Sequence, residues 1–378
     1  MKEKKVVVTQ GLSLLETKDF LVNCLIPSMK PAFLRGTIGI GKSSIIKQIA
    51  EENGWFYIEE RASRLTPSEV AGLPFIPESQ KDSEIPESRY TLIWFLKKAQ
   101  DAVESGKYKK AIVFLDEINL APQSVLFSLY SVVLDRRLGE YKLNENIYIV
   151  AAGNKSNDKS FVFELPSALK ARFAVIDIDP NLDDYLKHFM AKDITPSVIA
   201  FLKQNPQYLT TEVNDRFANP RSWESLSDVL KSAKRTPRSV EISIIIGEVA
   251  GGAFNAYMDF ISKIDPKEID RILEEGKSEI DVTKKLDVLY YIVTTSGQKL
   301  SNIKDKKLHI ERLTNYMKWI NKTFDQEILH GLVSFAIATY IESAKAKNNV
   351  QLASIISTPV WVEFRQKYAV DVNAVLSF

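Results

Sequence analysis

The spacing of apolar positions along this chain changes character once, near residue 182. Before that point, short solid apolar runs alternate with segments of helical spacing. "PAFLR" (31–35) is one such run, and "SSIIKQIAEEN" after it carries Ile45, Ile46, Ile49 and Ala50 on one helical face. "GWFYIEERA" reads as a second strand. "AIVFL" (111–115) is a continuous apolar run, the pattern of a strand buried on both faces. "IYIVAAG" and "FAVIDID" (173–179) supply two more. Leu92, Leu96, Ala99 and Val103 mark one helix face, "QSVLFSLYSVVL" predicts another helix, and "RRLGEYKLNEN" predicts a hairpin around Gly139. The stretch "TPSEVAGLPFIPESQKDSEIPES" has the Pro, Ser and Glu content of an elaborated loop.

Strands alternating with helices predict an α/β fold, a parallel sheet covered on both sides. From residue 182 the pattern is almost purely helical. The stretch 182–263 breaks at "NPRSW", and 264–378 includes Leu313, Met317, Ile320 and Phe324 at helical spacing. "SVEISIIIGEVAGGAFNAYM" is the most apolar long stretch. It contains Glu241, Glu248 and several glycines, so it predicts a buried helix and not a membrane span.

Chemistry enters at the end of the first strand. In "FLRGTIGIGKSSI" the residues Gly36, Gly41, Lys42 and Ser43 satisfy G-x-x-x-x-G-K-[ST], with Gly39 as an extra glycine. A loop of this kind wraps phosphates with inward backbone N–H groups, which makes Gly36, Thr37, Ile38, Gly39, Ile40, Gly41, Lys42, Ser43 and Ser44 the candidate nucleotide-binding residues. Lys42 reaches the β- and γ-phosphates, the Ser43 hydroxyl suits Mg²⁺, and the following helix adds its positive end. "IVFLDEIN" delivers two carboxylates to the end of a buried strand, where open α/β sheets place ligands. Asp116 is the candidate metal-holding residue and Glu117 the candidate general base for an attacking water. A protein that only senses nucleotide has no need of the second acid.

Asn154 ends the next strand, from which a short amide reaches a γ-phosphate or the lytic water; an ordinary turn is the plain alternative. Arg172 in "LPSALKARF" and Arg221 in "ANPRSW" are candidates to stabilise charge on a transferring phosphoryl group. A surface ion pair is the commoner fate of either.

Composition narrows the classes. At roughly 100–200 residues per domain, a chain of 378 residues, 45% hydrophobic, predicts two or three domains. Fifty Lys and Arg against 48 Asp and Glu leave a net charge of +2, which argues against a protein that coats nucleic acid. Cys24 is the single cysteine, so an intramolecular disulfide and a cysteine zinc site are excluded. His188, His309 and His330 are far apart and read as surface or packing residues. The basic start "MKEKKVVVTQ" lacks the apolar core of a signal peptide, and a soluble cytoplasmic protein is the expectation.

Taken in order, the phosphate loop, the Asp-Glu strand, Asn154, "ALKARF" and "NPRSW" resemble an AAA+ ATPase of the MoxR-type group. "LTPSEVAGLPF", "DEINLAP", "RRLGEYKL…IYIVAAGN" and "ITPSVIAFLKQNPQYL…NPRSWESLSDVL" are similar to further segments of that family, over roughly residues 10–262. Ile38 stands where many relatives have Pro. The resemblance implies a P-loop NTPase core over 1–181, a helical lid over 182–263 and a helical C-terminal extension over 264–378. It implies ATP and Mg²⁺ as cofactors, Asn154 as sensor 1, Arg172 as a finger reaching the neighbouring subunit's nucleotide, and Arg221 as sensor 2. It further implies a homo-oligomeric ring, most often a hexamer, that remodels a protein client in the manner of a chaperone. A protein with a von Willebrand factor A domain is the partner by analogy. The Phe75 loop either faces a central pore or packs on its own subunit. The rival functions are an AAA+ motor or loader acting on nucleic acid, and a non-hydrolysing scaffold that ATP merely assembles.

Overall fold

Ser13 opens the first helix, α1 (Leu14–Phe20), with a reciprocal cap. Its hydroxyl accepts from the Glu16 N–H at 3.3 Å, and the Glu16 carboxylate accepts from the Ser13 N–H at 2.7 Å. The structure, a computed structural model, describes residues 11–80, 85, 87–138, 141–155, 167–213, 216–278, 286–323, 330–347 and 358–368. The chain divides into two compact units, Met1–Asn181 and Leu182–Phe378.

In the first unit, α1 ends in a π-turn, Leu21–Leu25, ahead of β1 (Ala32–Arg35), α2 (Lys42–Asn53) and β2 (Phe56–Arg61). Then come α3 (Pro67–Ala71), the short strands β3 (Pro74–Phe75) and β4 (Arg89–Tyr90), and α4 (Trp94–Glu104). The buried run forms β5 (Ala111–Asp116), followed by α5 (Gln123–Leu134), the hairpin β6 (Arg137–Leu138) and β7 (Tyr141–Lys142), and β8 (Ile147–Gly153). Helix α6 (Ser167–Arg172) and β9 (Ala174–Asp177) close the unit. The five apolar runs pair as one parallel sheet in the order β2-β5-β8-β1-β9. Every residue of β8 is buried and only Asp116 of β5 is not, as two covered faces require. Because β1 lies between β8 and β9 while the chain leaves it for β2 at the far edge, the carboxyl end of β1 is the switch point where such sheets open a crevice.

The expected loop after β2 is more structured than its composition suggests. Thr66 and Glu69 form a capping box with Pro67 in the first turn of α3, and β3 pairs antiparallel with β4 through Phe75 and Arg89. "TPSE" is therefore a helix start; Pro and Ser content alone hides it. Phe75 is exposed on that ribbon.

In the second unit, α7 (Leu182–Ala191) and α8 (Pro196–Gln204) lead to a small hairpin, β10 (Thr211–Val213) with β11 (Arg216–Ala218). Helix α9 (Pro220–Ser232) begins at "NPRSW", where Asn219 caps it by accepting from the Ser222 N–H at 2.9 Å. The apolar stretch expected as one buried helix forms two, α10 (Ser239–Ile246) and α11 (Glu248–Ile261). Gly247 separates them with φ 81 and ψ 162, a backbone state that side-chain-bearing residues do not hold. Val240 and Ile244 are exposed, so this segment is only partly core. The unit ends with α12 (Lys267–Glu275), α13 (Leu286–Ser301), α14 (Lys306–Thr323), α15 (His330–Ala346) and α16 (Pro359–Lys367). Leu313, Met317 and Ile320 are buried as their spacing predicts; Phe324 lies outside the described residues. Helix α13 packs on α8 and α15, and α15 packs on α7. Gln298 on α13 donates to the Ile194 carbonyl, in the turn between α7 and α8, at 2.7 Å. Phe201, Trp223 and Phe254 form an aromatic centre with ring separations of 5.3–5.6 Å. Among the described residues, no helix is long and apolar enough to cross a membrane.

Candidate nucleotide site at the carboxyl edge of the sheet

Strand β1 stops at Arg35, and the chain turns through Gly36–Gly41 into α2. Gly41 takes a left-handed conformation at φ 90 directly before Lys42, so the first turn of α2 starts at the loop itself. Ile40 is fully buried and Ile38 is exposed, so the former anchors the loop in the core while the latter faces outward. For both, the backbone is the phosphate-facing chemistry available. The hydroxyl of Thr37 is buried without a hydrogen-bond partner among the described residues, a donor held ready in the loop.

Lys42 is buried, and a buried ammonium requires acceptors. Its Nζ donates to the Gly36 carbonyl at 2.8 Å, to the Thr37 carbonyl at 3.0 Å and to Asn154 Oδ1 at 3.4 Å. Phosphate oxygens would replace neutral carbonyls with charged acceptors, which form the stronger bond. Asn154, expected on position alone, thus meets Lys42 directly. Ser43 is half-buried on the first turn and Ser44 is exposed.

Asp116 ends β5, and its Oδ1 accepts from the Glu117 N–H at 2.9 Å. Burial pushes the Asp116 carboxyl above its ordinary range. The Glu117 N–H pulls it back, the Glu117 and Glu59 carboxylates push it up further, and Lys42 opposes them. Glu117 itself sits at φ 53 and ψ 33, a left-handed state uncommon for a residue with a long side chain. That turn opens a short 3₁₀ segment, Ile118–Leu120, and brings the Glu117 Oε2 within 2.6 Å of the Ser63 hydroxyl, which donates to it. Met29, Arg136 and Asp193 share its positive φ, and at an acid on a sheet edge that state is the kind of cost that folds bear at functional positions.

Two residues here escape sequence reasoning. Ser63 follows β2 and carries no local signal; only the pairing of β2 with β5 brings it to Glu117. Asn119 is buried, donates through Nδ2 to the Asn154 carbonyl at 2.8 Å, and accepts at Oδ1 from the Asn154 N–H at 3.2 Å. Its signal is Gly153, where a Cβ would lie 2.3 Å from the Asn119 Oδ1.

The structure brings together Lys42 and Asn154, and ties Asp116 to Glu117. Arg172 is exposed at the end of α6, and no hydrogen bond among the described residues joins it to Lys42, Asp116, Glu117 or Asn154. Arg221 is exposed on the first turn of α9, in the second unit. For a metal, the Ser43 hydroxyl and the Asp116 carboxylate are hard oxygen donors. No group of three or more His, Cys, Asp or Glu suited to a metal occurs among the described residues. Such a sparse oxygen set fits Mg²⁺, which usually takes one or two protein ligands and fills its shell with phosphate and water.

Residues 31–173 match the family model of the AAA domain, dynein-related subfamily. The matched segment runs from the start of β1 to the threshold of β9 and contains Lys42, Asp116, Glu117, Asn154 and Arg172. Among solved structures, NtrX from Brucella abortus is similar at 14% identity and a TM-score of 0.39, covering 90% of this chain and 69% of that one. A second NtrX structure, in complex with ADP, is similar at a TM-score of 0.38 and 14% identity, covering 90% and 67%. RuvB from Thermotoga maritima, as a mutant, has 15% identity and a TM-score of 0.32, covering 66% of this chain and 65% of that one. The five-stranded parallel sheet with its flanking helices is an AAA+ P-loop core, followed by a helical C-terminal region.

Proposed function

We propose that this chain is a MoxR-like AAA+ ATPase that hydrolyses Mg-ATP between the subunits of a ring and uses the turnover to remodel a protein partner. The observation that carries the reading is the second acid. Glu117 stands at the edge of the sheet that also presents Lys42 and Asn154, and its carboxylate is kept in place by Ser63. A nucleotide sensor would need the phosphate loop alone.

Each residue then has a defined task. The loop from Gly36 to Gly41, with the buried Thr37 hydroxyl, binds the phosphates, and Lys42 neutralises the β- and γ-oxygens. Ser43 and Asp116 would hold Mg²⁺, which when bound neutralises charge on the phosphate oxygens. Glu117 accepts the proton of the attacking water, and Asn154 orients that water or the γ-phosphate through its carboxamide. Arg172, exposed at the end of its helix, is available to a neighbouring subunit's phosphate. Arg221 is assigned to the lid by the same reading.

Three variants test it. Lys42→Ala should weaken ATP binding by about 10–100-fold, the loss of hydrogen bonds to a charged group. Glu117→Gln should keep ATP binding and lower kcat by about 10²–10⁴-fold, the worth of a positioned base. Arg172→Ala should lose turnover by roughly 10³-fold, yet a mixture of Arg172→Ala and Glu117→Gln chains should regain part of it at mixed interfaces. Wild-type turnover in Glu117→Gln removes the proposed base. A mixture as inactive as its components removes the shared site.

A further inference from the structure

Asn119 does for Asn154 what a neighbouring strand would do. On one side, β8 pairs with β1 as far as Gly153, whose carbonyl accepts from the Gly36 N–H at 3.3 Å. On the other side, the ladder with β5 ends at Leu115 and Ala151. Beyond that point the backbone of Asn154 has no strand beside it, and the amide of Asn119 meets both its N–H and its carbonyl. Gly153 makes the approach possible, because a Cβ there would overlap the Asn119 amide.

We propose that Asn119 is the positioning residue for Asn154. By fixing the Asn154 backbone on both sides, it holds the Asn154 carboxamide beside Lys42 Nζ. Asn119 acts only through Asn154 and touches no nucleotide. It lies on the 3₁₀ segment Ile118–Leu120 that begins at Glu117, so one short turn sets the register between the acid and the amide. A purely structural role, satisfying one buried backbone pair, would affect folding and leave catalysis alone; the two are separable. The inference rests on the ATPase reading above.

The test is steady-state turnover by the full chain, with ATP affinity measured separately by equilibrium binding. Asn119→Ala should lower kcat by about 10–100-fold, the usual effect of losing an orienting partner, with ATP affinity within about twofold. Asn154→Ala should lower kcat as well, and the double variant should be no slower than Asn154→Ala alone. Gly153→Ala should also slow turnover by displacing the amide, yet cost nothing further in an Asn119→Ala background. If Asn119→Ala does not fold, Asn119→Asp is read instead, since it keeps the shape and the acceptor while losing the donor; a partial fall in kcat is expected. Wild-type kcat in the variant that folds overturns the inference, as do multiplicative losses in the double variant or a parallel loss of ATP affinity. Failure of the broader reading looks different, because Glu117→Gln would then turn over like wild type. A wild-type chain without turnover overturns both.

Discussion

In the first unit, the buried and half-buried polar side chains that matter gather at one edge of the sheet and meet one another. Lys42 meets Asn154, Asn119 holds Asn154, and Ser63 holds Glu117. In the second unit they are spread through the helices, and several of them meet a backbone carbonyl. Thr294 donates to Tyr290, Thr339 to Phe335, Ser301 to Gln298, and Gln298 to Ile194. Backbone strain divides similarly. The left-handed Glu117 carries a long side chain at the sheet edge, whereas the second unit's left-handed non-glycine residue among those described is Asp193, a type that tolerates the state, and its helices break at Gly247 without penalty. Polar burial at the sheet edge is thus an arrangement with capacity left for a ligand. In the helices it is dispersed, and the buried atoms without a hydrogen-bond partner among the described residues, on Ser197, Gln204, Tyr257, Ser296, Asn321 and Trp361, do not converge on one edge as the groups around Lys42 do.

The sharpest break between the two should come from Asp116→Asn. Turnover should fall at least about 100-fold, since the variant gives up the carboxylate proposed above to hold the metal. Stability should move the other way. Burial raises the folded-state pKa of Asp116 above its unfolded value, so the folded chain holds that proton more tightly than the unfolded chain. The stability linked to this group is therefore complete below the unfolded pKa and is lost as pH rises through the folded pKa. Asn carries no such loss and can still accept from the Glu117 N–H. Without nucleotide or Mg²⁺, the variant should melt above wild type near pH 8, and the gap should close as pH falls below about 4, the ordinary Asp range. Melts across that pH range check it, and a variant less stable at pH 8 would break the comparison.

A buried polar group in the second unit should behave in the opposite way. His309 is fully buried between α14 and α15. Its Nδ1 faces the Ile303 carbonyl at 3.2 Å and its Nε2 faces the Tyr340 hydroxyl at 2.8 Å. A carbonyl only accepts, so Nδ1 carries a proton, and in the neutral ring Nε2 then accepts from the Tyr340 hydroxyl. His309→Ala leaves a cavity and an orphaned hydroxyl, for a loss of about 3 kcal/mol. ATP affinity should stay within about twofold, because the hydrogen-bond partners Ile303 and Tyr340 lie in the second unit and the phosphate loop lies in the first. Chemical denaturation beside nucleotide titration measures both. A stability loss under about 1 kcal/mol would mean that the pair is not a structural staple.

Much of the first unit is legible in the residue order because its signals are local. A solid apolar run such as 111–115 needs two covered faces, and a G-x-x-x-x-G-K-S loop between strand and helix needs an anion. Asp116 and Glu117 follow for the same reason, since they end a run already read as a strand. The clamp and the tether are not local. Asn119 reaches Asn154 across 35 residues and Ser63 reaches Glu117 across 54, and only the strand order β2-β5-β8 makes them neighbours. The helix α3 and the break at Gly247 were concealed differently. In both places average composition, loop-like in one and uniformly apolar in the other, outweighs a single capping residue or glycine.

Thr339→Val should show the smallest effect. The hydroxyl of Thr339 is buried and donates to the Phe335 carbonyl at 2.8 Å, four residues earlier on α15. In a helix that carbonyl already accepts a backbone N–H, so removing the hydroxyl orphans nothing. Val keeps the methyl that lies near Gly297 of α13, where an added Cβ would stand 3.1 Å from Thr339 Cγ2. The helix–helix approach is therefore preserved. Stability should change by less than about 1 kcal/mol in either direction, and kcat should not change. Denaturant midpoints resolve a shift of that size. A loss above about 2 kcal/mol would show that the Thr339 hydroxyl does more than bond back to its own helix. The polar groups of the second unit would then be as interdependent as those at the sheet edge.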